Sequence, residues 1–124
     1  MELHIRRIIV FATDLEEARG FYEGILGLEW VPVQDGFIRF RGGNFELDVF
    51  QCERTSSFEG YSEKTGVGVV FSVPSVEEAM RELRSKGVRV LHEQPNEAPD
   101  GSCYAAFVDP FGTVLEIAED ARGA

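Results

Sequence analysis

The sequence predicts an α+β protein built from two tandem βαβββ modules, whose strands form a cupped mixed β-sheet with the helices outside. Three observations carry this. Apolar, strand-like runs lead twice into a helix N-cap, at Asp14 and at Ser75. Each helix pattern is followed by three further short strand patterns. The second half also repeats the first: Asp-Leu-Glu-Glu-Ala at 14–18 lies over Ser-Val-Glu-Glu-Ala at 75–79, and Gly-Gly-Asn-Phe-Glu at 42–46 lies over Gly-Thr-Val-Leu-Glu at 112–116. One such module alone cannot cover both faces of its sheet, so two copies are expected to share a concave surface.

Residues 5–12 read as the first strand, rich in β-branched side chains and apolar on both faces toward its end. Asp14 is an N-cap with Glu17 three residues on, so a helix starts there. Leu15, Ala18, Tyr22 and Ile25 recur at helical spacing, with Phe21 beside them, and Gly24 and Gly27 are expected to end the helix. Strands follow at about 28–33, 36–41 and 44–51. In the last, Phe45, Leu47 and Val49 alternate with Glu46, Asp48 and Phe50. Residues 54–65 are polar and aperiodic, a connector that separates a first module, 1–53, from a second, 66–124. There the pattern restarts with a strand at 67–73 and a helix capped by Ser75, with Val76, Ala79 and Leu83 as its buried stripe. Lys86 and Gly87 stop it. Strands are expected at about 88–91, 103–109 and 113–118, and 92–102 is a turn-rich loop.

Composition narrows the function. With 124 residues, 44% of them hydrophobic and ten Phe, the chain fits one domain with a real core. Twelve basic against 22 acidic side chains give a formal charge of −10. This excess argues against nucleic acid or an anionic membrane as partner and tolerates a cationic ligand. No apolar run reaches the roughly 18 residues of a spanning helix, and residues 1–7 lack the apolar stretch of a signal peptide, so a cytoplasmic location is expected. Cys52 and Cys103 are expected as reduced thiols and form no zinc-binding pattern. His4 and His92 are the only histidines, which excludes histidine-rich chemistry.

The run Asp14-Leu15-Glu16-Glu17-Ala18-Arg19-Gly20-Phe21-Tyr22, followed by Ile25-Leu26-Gly27-Leu28, and the closing Phe107-Val108-Asp109-Pro110-Phe111-Gly112-Thr113-Val114-Leu115-Glu116-Ile117 carry a family resemblance. The chain resembles the vicinal oxygen chelate superfamily, which holds glyoxalase I, bleomycin-resistance proteins and extradiol dioxygenases. In its metal-dependent members a ligand, usually His, lies seven residues before the N-cap of the first helix. The resemblance carries that position onto Arg7, its counterpart onto Gly68, and the two carboxylate ligands onto Glu46 and Glu116. Two of four ligand positions are therefore kept, and one lost position carries a permanent cation. No cofactor is expected, and a divalent metal is disfavoured, because a catalytic zinc site uses about three protein ligands.

Strand alternation turns Glu46, Asp48 and Phe50 of the fourth strand, and Val114, Glu116 and Ala118 of the last, toward the concave surface. A three-residue hairpin loop at 110–112 would put Ala106 opposite Glu116 and Tyr104 on the same face. The candidate ligand-binding residues are thus Arg7, Trp30, Glu46, Asp48, Phe50, Tyr104 and Glu116, with Phe37, Phe58 and Tyr61 as further aromatic candidates. Arg7 is either a counter-ion for the carboxylates or an anchor for an anionic group. The leading expectation is a metal-independent binder of a small aromatic or cationic molecule. The resemblance to bleomycin-resistance proteins implies sequestration without turnover, in a homodimer with interfacial pockets. Two alternatives are enzymes. One is a lyase, isomerase or dioxygenase whose metal is held by Glu46 and Glu116, with His92 or a partner chain completing the shell. The other is a metal-free enzyme with Glu46 or Glu116 as catalytic base and Arg7 as substrate anchor.

Overall fold

Asp14 does what its position predicts: its side chain accepts the Glu17 N–H at 3.0 Å and opens α1, Leu15–Arg19. The computed structural model describes residues 1–2, 4–32, 36–53 and 68–120. The helix does not stop at Gly24. It runs on as a wider π-helical turn, Gly20–Ile25, in which the Leu26 N–H reaches the Phe21 carbonyl at 3.0 Å. Adjacent side chains diverge less on a wider turn, and the neighbours Phe21 and Tyr22 are both buried. Gly27, at φ +74°, ends the helix as expected.

Two compact units divide the chain, Met1–Ser57 and Phe58–Ala124. In the first, β1 (Ile8–Ala12), β2 (Glu29–Val31), β3 (Phe37–Arg41) and β4 (Glu46–Gln51) form a mixed sheet in the order β1-β4-β3-β2. The β1–β4 pair is parallel and the other two pairs are antiparallel. Val10, Phe40, Leu47 and Val49 are buried on the face toward the helix, where the Tyr22 and Phe40 rings lie 5.8 Å apart.

The second unit repeats this topology. Its strands are β5 (Val69–Ser72), β6 (Arg89–Val90), β7 (Asn96–Glu97), β8 (Cys103–Val108) and β9 (Val114–Glu119), and its helix is α2 (Val76–Ser85). The order is β5-β9-β8-β6, again with one parallel pair, β5–β9. The fold is therefore a mixed α+β duplication. The short β7, paired with β8, falls in the stretch 92–102 expected as plain loop. Met80, with Val76 and Leu83, is buried along α2, and Ala105, Phe107, Leu115 and Ile117 are buried in the sheet. At the β8–β9 hairpin the Asp109 carboxylate accepts the N–H groups of Phe111 at 2.9 Å and Thr113 at 2.8 Å. Gly112 takes φ +88°.

The connector expected at 54–65, with Phe58 and Tyr61, lies outside the described residues. No helix among those described is long and apolar enough to cross a membrane. Ser75 caps α2 by accepting the Glu78 N–H at 3.2 Å. A Ser75→Ala variant is expected to lose about 1 kcal/mol in urea unfolding, and Ser75→Gly only a few tenths.

Candidate functional site

Across the first sheet, the face turned away from α1 carries its polar residues in register. Arg39 lies opposite Asp48, Arg41 opposite Glu46, and Phe37 opposite Phe50. On the other side of β4, Ile9 lies beside Asp48 and Phe11 beside Phe50. Arg7, just before β1, extends the same row: its Nε is 3.5 Å from Glu46 Oε1 and 3.8 Å from Asp48 Oδ2.

Asp48 is the centre of this arrangement, with only 5% of its side chain exposed. A carboxylate so buried must be paired, and Arg39 pairs it by a fork. Arg39 Nε donates to Oδ1 at 2.8 Å and Nη2 to Oδ2 at 3.0 Å. The hydrogen bond to Asp48 raises the Arg39 pKa above its ordinary value, so the guanidinium is a fixed cation. Arg41 Nη2 approaches Glu46 Oε2 at 3.5 Å. Beside the charged rows, the Phe37 and Phe50 rings stack at 4.8 Å with 10° between their planes. The Arg39 guanidinium carbon lies 5.5 Å from the Phe37 ring centre.

In the second unit the predicted hairpin register holds. Ala106 lies opposite Glu116 and Tyr104 opposite Ala118, which puts Tyr104 and Glu116 on one face. Val70 of β5 lies beside Glu116 and is 54% exposed. His92 Nδ1 accepts the Ala106 N–H at 3.1 Å, and its ring meets Tyr104 edge-on at 5.9 Å.

The structure thus gathers Arg7, Glu46, Asp48 and Phe50 on one face of the first sheet, and Tyr104 and Glu116 on one face of the second. Trp30 does not join them. It lies opposite Phe40 on the helix side, with the Arg19 guanidinium 4.1 Å above its ring. The expected equivalence of Glu46 with Glu116 is also corrected. Asp48 pairs with Ile9, five residues ahead of the N-cap Asp14, and Glu116 pairs with Val70, five residues ahead of the N-cap Ser75. The counterpart of Glu116 is therefore Asp48. Arg39 and Arg41 were not anticipated as site residues; the alternation of Phe37, Arg39 and Arg41 with Ile38 and Phe40 was the available signal. Among the described residues, no three His, Cys, Asp or Glu side chains come together as a ligand set for a metal.

The family model described as Glyoxalase/Bleomycin resistance protein/Dioxygenase superfamily matches residues 4–117. The chain belongs to that superfamily. Among solved structures it is similar to the glyoxalase family protein from Enterococcus faecalis, with a TM-score of 0.79 and 23% identity over 94% of this chain and 97% of that one. It is similar to a glyoxalase/bleomycin resistance protein/dioxygenase from Nocardioides, with a TM-score of 0.77 and 20% identity over 100% and 87% of the two chains. Lactoylglutathione lyase from Agrobacterium tumefaciens matches with a TM-score of 0.72 and 24% identity over 94% and 92%. A search of curated protein sequences finds no match. At these identities the structural likeness establishes the fold and leaves the chemistry to the residues.

Proposed function

We propose that this protein binds a small organic molecule without a metal, in the manner of the bleomycin-resistance branch, sequestering an antibiotic or an aromatic metabolite. The observation that carries the reading is the fork from Arg39 to Asp48, with Arg7 alongside. The donor set does not suit a divalent cation. The position where relatives place a histidine carries the guanidinium of Arg7, its counterpart is Gly68, and Asp48 already has both oxygens engaged. A cation entering there would meet fixed positive charge. Glu46, lying between Arg7 and Arg41, is likewise poorly placed to act as a free base. Ile9 and Phe11, 54% and 55% exposed on the same face, support assembly as a homodimer with the ligand pocket at its interface.

Thermal unfolding tests the reading against a panel of aromatic metabolites and antibiotics. Added zinc, manganese or chelator is expected to leave Tm unchanged, while a bound molecule at 100 times its Kd adds about 2.7 kcal/mol of stability. A fall in Tm on chelation would overturn it.

A further inference from the structure

We infer that the ligand is an aromatic carboxylate, seated on the open face of the first sheet with its carboxylate among Arg7, Arg39 and Arg41 and its ring against Phe37, Phe50 and Phe11. This rests on the reading of the chain as a metal-independent binder and adds the chemistry of what is bound. Three guanidinium groups, those of Arg7, Arg39 and Arg41, line this face; Glu46 and Asp48 are in contact with them, and Glu29 lies opposite Arg41 in register.

The donors are also incompletely used. Arg39 commits two N–H groups to Asp48, but Arg7 Nε is buried and, among the described residues, has no hydrogen-bond partner. Its nearest carboxylate oxygens, at 3.5 and 3.8 Å, lie at or beyond the limit of a good hydrogen bond. Arg41, with 52% of its side chain exposed, meets Glu46 only at 3.5 Å. A planar anion satisfies such donors by the paired contacts that guanidinium groups favour. The aromatic row lies two residues along the strands from the Arg39–Asp48 row, about 7 Å away. One small molecule spans that distance with its carboxylate at one end and its ring at the other. A carboxylate accepts from these guanidinium donors, whereas an ammonium group in the same place offers them no acceptor.

Isothermal titration of the full chain with phenylacetate, phenylacetamide and phenethylamine at low ionic strength tests this. Phenylacetate is expected to bind, with the amide and the amine at least about tenfold weaker, the usual scale for losing a hydrogen bond to a charged group. Arg7→Gln and Arg41→Gln are each expected to weaken phenylacetate about tenfold, while Arg81→Gln, on the exposed side of α2, leaves it unchanged. Arg41 is half exposed, so its variant keeps the test open should Arg7→Gln fail to fold. Equal binding of the amide, no binding of phenylacetate at millimolar concentration, or unchanged affinity in the Arg41→Gln variant would overturn the inference. Binding of neutral or cationic aromatics in its place would overturn the ligand class alone, whereas loss of binding on chelation would overturn the metal-independent reading beneath it.

Discussion

Replacing Asp48 by Ala is expected to cost about 3 kcal/mol or more in urea unfolding, because it strands a charge rather than removing a contact. Asp48 is 5% exposed and Arg39 only 20%, so the guanidinium left behind cannot turn fully to water. Arg7, 31% exposed, loses one of its two carboxylate neighbours in the same step. The sheet position itself is not the cause: Ile9 and Arg39 flank it on regular ladders, and an apolar residue fits a strand well. The double variant Asp48→Leu with Arg39→Met is therefore expected to recover most of the loss, since replacing both members of a buried pair by apolar groups is often neutral. A double variant as unstable as Asp48→Ala would show that packing, not charge, governs this position.

Phe40→Ala is expected to cost about 3–5 kcal/mol, the range for deleting a buried aromatic ring. Phe40 is fully buried, lies between Trp30 and Leu47 in register, and meets the Tyr22 ring at 5.8 Å. Its removal opens a cavity between the first sheet and its helix that a short β2 strand cannot close. Phe40→Leu keeps most of the volume and is expected to lose less than half as much. The comparison by urea unfolding separates cavity cost from a general intolerance of change, because the latter would destabilise both variants equally.

The features legible in the sequence are those decided within a few residues. Asp14 and Ser75 cap their helices through contacts three residues away, and the turn at Asp109 and Gly112 sets the β8–β9 register that brings Tyr104 to the face of Glu116. Where the reading erred, a longer-range register was decisive. Glycines 42 and 112 lie in hairpin loops of different length, 42–45 between Arg41 and Glu46 and 109–113 between Val108 and Val114. Matching those glycines put Glu46 in the place that the parallel ladders give to Asp48. Trp30 misled in the same way, since its face depends on pairing with Phe40 across β2 and β3. The partnership of Arg39 with Asp48 is a cross-strand pair, set by the β3–β4 register and by burial of the carboxylate. Charge counting could not reveal it, because the acidic surplus of the whole chain masks a local cluster of arginines.

Metal analysis of protein purified without chelators bears most directly on the claim that the protein binds its ligand without a metal. Less than about one tenth of an equivalent per chain of zinc, manganese, iron, nickel or cobalt is expected, far below the loading of a site with typical structural affinity. Close to one equivalent of any of these, retained through dialysis, would contradict it.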